Sequence, residues 1–117
     1  MLQSLCRAGF FLALVVVLLL TLEPADLVAS PINDKAAHLL AFAGLAFIGA
    51  IAWPRRAATI AVCLAILGAT IEVIQGTHWI GRDAEFLDFV ADCLGVGAGL
   101  SCAAVFRSMR NRRRATA

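Results

Sequence analysis

Eight side chains in this sequence have types and spacing that can do chemistry: Asp34, Lys35 and His38, then Glu72 and Gln75, then Arg82, then Asp88 and Asp92. Asp34 and His38 are four residues apart, Glu72 and Gln75 three, and Asp88 and Asp92 four, so on helices each pair shares one face. A carboxylate one turn from an imidazole can orient the ring while the ring exchanges a proton. This gives His38 a general acid or base role with Asp34 as its orienting partner. Glu72, Asp88 and Asp92 can assist such a step, or can join His38 in a mixed oxygen and nitrogen donor set suited to Mg, Mn or Zn. His38, Glu72 and Asp88 are the catalytic candidates. All eight residues are candidates for ligand binding, and a divalent metal is the cofactor such a set would take.

The elements that must position these groups are apolar. Of 117 residues, 62% are hydrophobic and 15% charged, against about 45–50% and about 25% in soluble domains. Four apolar blocks stand out, at roughly 5–22, 36–53, 57–76 and 86–106. Each approaches the ~20 residues a helix needs to cross ~30 Å of hydrocarbon, and a helix satisfies its own backbone hydrogen bonds in lipid as an isolated strand cannot. The expected fold is an all-α membrane protein, one domain over 1–117, built as a bundle of four transmembrane helices with a basic tail at 107–117. The first block, with Arg7 ahead of it and small residues at Val28, Ala29 and Ser30, also resembles a secretory signal peptide. Pro31, directly after the favoured cut, argues for retention.

Charge placement sets the orientation. Arg7, Arg55, Arg56, Arg107, Arg110, Arg112, Arg113 and Arg114 fall at the N-terminus, the 53–56 turn and the C-terminal tail, leaving Lys35 and Arg82 on the other side. By the positive-inside rule both termini are cytoplasmic. All eight acidic residues and both histidines, His38 and His78, then belong to the outer loops or the outward halves of helices. Glu72 lies ~6 Å inside Gly76, and Asp92 ~9 Å inside Phe86. A lone carboxylate at such depth costs about 1–3 kcal/mol, so these groups are expected to face one another and not lipid.

The remaining features are plainer. Cys6, Cys63, Cys93 and Cys102 occupy no outer loop and show no metal-ligand spacing, which leaves them as packing residues. His78 and Trp79 read as interfacial anchors. Gly95 and Gly99 form a G-x-x-x-G face, with Ala41, Gly44 and Gly49 as small residues on the second block; tight packing within the bundle is its expected use, ahead of a dimer seam. The tail RSMRNRRRATA enforces topology and adds attraction to anionic lipid; it is too short to suggest nucleic-acid binding. Four helices without a repeat or a broken pair make a poor transport pathway.

The order DKxxH (Asp34, Lys35, His38), ExxQ (Glu72, Gln75), R-x5-D (Arg82, Asp88), then a polar residue four later and Gly95, resembles the VanZ-like family of small bacterial membrane proteins, over residues 33–100 or so. The resemblance implies a multi-pass protein of the bacterial cytoplasmic (inner) membrane, in a family named after a member associated with low-level teicoplanin resistance. It implies no biochemical activity. Family members typically carry Asn where this chain has Asp92.

Three functions fit these residues. The cluster can bind the headgroup of an envelope lipid, a lipid-linked wall precursor or a lipoglycopeptide, with Lys35 and Arg82 on phosphate and the carboxylates on amines. It can instead hydrolyse a lipid headgroup or pyrophosphate. Or it can fix the bundle through buried pairs such as Lys35 or Arg82 with Asp88, and Glu72 with His38. Eight polar groups exceed what four short helices need as glue, since interhelical polar contacts average only ~0.6 kcal/mol. A site is therefore expected, with membrane lipids or lipid-linked wall precursors as its partners.

Overall fold

The computed structural model describes residues 1–22, 31–77, 80 and 85–116. Among these residues the chain forms four helices and no strand: α1 (Leu2–Thr21), α2 (Pro31–Ala52), α3 (Ala57–Gln75) and α4 (Phe86–Ala115). All four are long and apolar enough to cross a membrane. Large apolar side chains such as Leu12, Leu19, Val62, Ile66, Leu94 and Val105 point outward, the surface expected of a bundle whose solvent is lipid. The chain is a multi-pass membrane protein by this architecture.

Two helix ends differ from the apolar blocks for physical reasons. α2 begins at Pro31, where proline's fixed φ and missing N–H suit the first helical position. This brings Asp34 into the first turn, against the positive end of the helix dipole. α4 continues past the apolar block through the basic tail to Ala115, with Arg112, Arg113 and Arg114 in its last turn, where cations complement the dipole. Its 30 residues reach about 45 Å at ~1.5 Å per residue, longer than the hydrocarbon layer, and the molecule's longest dimension is 56 Å.

α2 is the central element. It packs most extensively on α4 and next on α1, while α3 leans more on α4 than on α2, although the Trp53–Arg56 turn joins α2 directly to α3. α2 and α4 run parallel: a Cβ on Gly95 would run into the Leu39 carbonyl oxygen, and one on Gly99 into that of Ala43. The G-x-x-x-G face thus lies inside the bundle, against α2 backbone. Gly44 faces open space instead, and Gly49 meets Phe10 and Ile60. Val17, Phe42, Leu45, Ile60, Leu64, Ile71 and Val96 form the apolar core.

The basic end is closed by specific contacts. Phe10 meets Trp53 edge to face at 5.4 Å between ring centroids, and the Arg7 guanidinium lies 5.6 Å from the Trp53 ring centroid. Arg107 donates to Pro54 O in the turn at 2.8 Å and to Ala50 O at 3.4 Å, the latter a carbonyl that the end of α2 leaves without a helical partner. Arg7, the 53–56 turn and Arg107 therefore lie at one end of the bundle. The four cysteines are free, and Cys63, Cys93 and Cys102 are exposed. They face outward where packing had been expected; only Cys6 is half-buried.

Candidate functional site

At the opposite end, three helices bring ionisable side chains into the bundle. His38 comes from the second turn of α2, Glu72 from the last turn of α3, and Asp88 and Asp92 from the first two turns of α4. Their relative exposures are 1%, 8%, 5% and 0%, far below what these residue types show unless paired. Their depths match because α2 and α4 both enter the bundle at this end while α3 leaves it there.

Asp92 and His38 form the centre. His38 Nδ1 donates to Asp92 Oδ1 at 2.9 Å, whereas Asp34 Oδ1 lies 4.0 Å from His38 Nε2. Orientation of the ring falls to Asp92 on α4, across the helix interface, rather than to Asp34 one turn away on α2. Asp92 fits because α3 has a glycine opposite it: a Cβ on Gly68 would stand 2.6 Å from Asp92 Oδ2. Glu72 Oε2 accepts a hydrogen bond from the Glu85 backbone N–H at 3.0 Å, so α3 holds the residue that precedes α4.

Lys35 sits at the rim, in contact with Glu85 and 3.1 Å from Asp88 Oδ1. The Asp88 pairing is one of charge; the geometry is not that of a hydrogen bond, and Oδ1 has no hydrogen-bond partner. Gln75 has a different use. Its buried Nε2 donates to Thr21 O at 2.7 Å, tying α3 to the end of α1. Arg82 lies outside the described residues, as do His78 and Trp79.

Three residues that shape this end were not singled out by spacing. Glu85 was visible only as one more loop acid. Thr21 contributes a carbonyl, which sequence does not reveal. Gly68 did carry a signal, since a glycine inside an apolar helix is about 1 kcal/mol worse than alanine and points to a close approach.

Further polar atoms are buried without a hydrogen-bond partner: His38 Nε2, Glu72 Oε1 and Asp92 Oδ2. Among the described residues two overlapping groups can offer donor atoms within 4.8 Å of one another, Asp34, His38 and Asp88, and His38, Glu72 and Asp92. Beside them a small cavity of about 90 Å³, lined by Val17, Leu20, Thr21, Asp34, Ala37, His38 and Ala41, lies between α1 and α2. At ~30 Å³ per water it holds about three waters, or one ammonium- or phosphate-sized group. Larger hollows of about 490 and 330 Å³ flank the Trp53–Arg56 turn, but their linings contain no acid or imidazole. Among the described residues, the groups that could hold a metal ion cluster at the acidic end. Compared with known proteins, the chain matches no protein-family model, no curated protein and no solved structure.

Proposed function

We propose that this chain is a bacterial cytoplasmic-membrane protein of the VanZ-like kind, with both termini inside, whose outward acidic end binds the headgroup of an envelope lipid or lipid-linked wall precursor. One observation carries the reading: His38, Glu72, Asp88 and Asp92, from three helices, are buried at one depth with polar atoms left unpartnered. Each such atom costs about 1–3 kcal/mol, more than the pairs formed around it return as glue. The small cavity gives a headgroup amine or phosphate a way to Asp34 and His38. Lys35, half-exposed above them, can exchange the exposed Glu85 for a phosphate at little cost, because exposed ion pairs contribute only about 0–1 kcal/mol. A lipoglycopeptide presenting amines to the same carboxylates would connect the site to teicoplanin resistance.

The test is mass spectrometry of lipids that co-purify with the protein in mild detergent, with Asp34→Asn and Lys35→Gln variants in parallel. A phosphate-bearing envelope lipid enriched over its share of the membrane, and depleted from the variants, is expected. Lipids in bulk proportion in all three samples would end the headgroup reading.

A second reading, hydrolysis of a headgroup or pyrophosphate, is favoured by the Asp92–His38 hydrogen bond, which leaves His38 Nε2 without a hydrogen bond beside the cavity. An imidazole oriented in this way can take a proton from water. Phosphate release from polyprenyl pyrophosphate in micelles, abolished by His38→Ala, would identify it.

A further inference from the structure

The acidic end carries more negative charge than its own cations balance. Among the described residues it holds five carboxylates, Asp34, Glu72, Glu85, Asp88 and Asp92, and one ammonium, Lys35. Lys35 is engaged with Glu85 and Asp88. The deeper acids, Glu72 and Asp92, have no lysine or arginine within ion-pairing distance among the described residues; His38 is their neighbour.

We infer that Glu72, Asp92 and His38 form a binding site for one divalent cation of the Mn and Zn class. The spacing fits. One donor atom from each residue lies within 4.8 Å of the others, and His38 Nδ1 and Asp92 Oδ1, 2.9 Å apart, share a hydrogen bond whose proton the ion would displace. Donors ~2.1 Å from a metal stand roughly 3.4 Å apart when tetrahedral and about 4.2 Å apart when opposed. Side-chain adjustment of an ångström or less closes the set.

The unpartnered atoms give independent support. Glu72 Oε1 and Asp92 Oδ2 are buried without hydrogen bonds, on residues each more than nine-tenths buried. A metal satisfies such buried carboxylate lone pairs directly. The remaining bonds also serve a metal: Glu72 is steadied through its other oxygen by the Glu85 N–H, as ligating carboxylates usually are. The donor set selects the ion. Mg and Ca favour all-oxygen ligands, whereas an imidazole with carboxylates suits Mn or Zn. The alternative group, Asp34, His38 and Asp88, is the poorer site because the Lys35 ammonium already stands 3.1 Å from Asp88 Oδ1.

The inference does not depend on which lipid binds, or on whether one does, so its test uses metal alone. Untagged protein in detergent is stripped with chelator, loaded with excess Mn or Zn, passed through a desalting column and assayed for metal by plasma mass spectrometry. Affinity is then measured by calorimetric titration. About one ion per chain is expected, with His38→Ala and Asp92→Asn each weakening binding at least ~100-fold, since loss of an outer-shell partner alone costs 10–100-fold. Glu72→Gln, near-isosteric, gives a further reading if His38→Ala fails to fold. Unloaded native protein overturns the site whatever lipid it carries, and points to protons on Glu72 and Asp92 instead. Binding that survives Asp92→Asn but is lost in Asp34→Asn also overturns it, by placing the ion at the rim.

Discussion

Adding a single methyl group at Gly95 should both destabilise the bundle and disturb the acidic end. A Cβ there would strike the Leu39 carbonyl oxygen and approach Ala43 N and Leu39 C to 3.1 Å each. Backbone cannot rotate aside as a side chain can, so α2 and α4 must separate by about 1 Å to restore van der Waals distance. Overpacking of this kind costs about 1–3 kcal/mol. Gly95 lies three residues below Asp92, and Leu39 is next to His38, so the same separation stretches the 2.9 Å His38–Asp92 hydrogen bond beyond its working range. The assay is SDS-induced unfolding in mixed micelles, followed by tryptophan fluorescence, with metal content measured on the same samples. Gly97→Ala is the control, because nothing lies within 4 Å of a Cβ there; it should be neutral or stabilising by up to ~1 kcal/mol. Equal stability of Gly95→Ala and Gly97→Ala would refute the parallel close contact as drawn.

Three further outcomes are expected. Asp92→Asn should accumulate in the membrane at the native level, because the amide oxygen still accepts from His38 Nδ1, while bound metal is lost; immunoblotting beside metal analysis reads both. Arg107→Ala should lower stability by about 1 kcal/mol, since it removes hydrogen bonds to Pro54 O and Ala50 O at a part-buried position; the same unfolding titration measures it. A reporter active only outside the cytoplasm should be silent when fused after Ala117 and active when inserted after Ser30 or Gly81, and the reverse pattern would turn the acidic end inward.

Composition alone made the four spans legible, because in lipid an apolar run of about twenty residues has few alternatives to a helix. The shared depth of His38, Glu72 and Asp92 was legible too, from helical rise and alternating direction. Their pairing was not. Sequence spacing favours partners on the same helix, as with Asp34 and His38, whereas packing brought Asp92 across from α4 because Gly68, Gly95 and Gly99 let backbones approach. Gln75 shows the same limit. It shares a face with Glu72 by spacing, yet its partner is a main-chain oxygen at the end of α1, and main-chain oxygens carry no residue signature. The helical basic tail was hidden for another reason: hydropathy locates where a helix leaves lipid, and helix propensity and dipole decide where it ends.

The close contact between α2 and α4 also divides α4 into unequal arms. Measured from Gly97, midway between Gly95 and Gly99, Asp92 stands about 7.5 Å to one side and Arg114 about 25 Å to the other, at ~1.5 Å per residue. A rigid rocking of α4 about this fulcrum would multiply motion roughly threefold, so that 0.5 Å or so at Asp92 becomes about 1.7 Å at the arginines, in the opposite sense. The bond from Arg107 to Pro54 and the packing of Ala103 against Ala50 and Ile51 lie on the long arm and resist such rocking. The chain thus joins a buried charge cluster at one membrane face to a cationic rod at the other through one continuous helix.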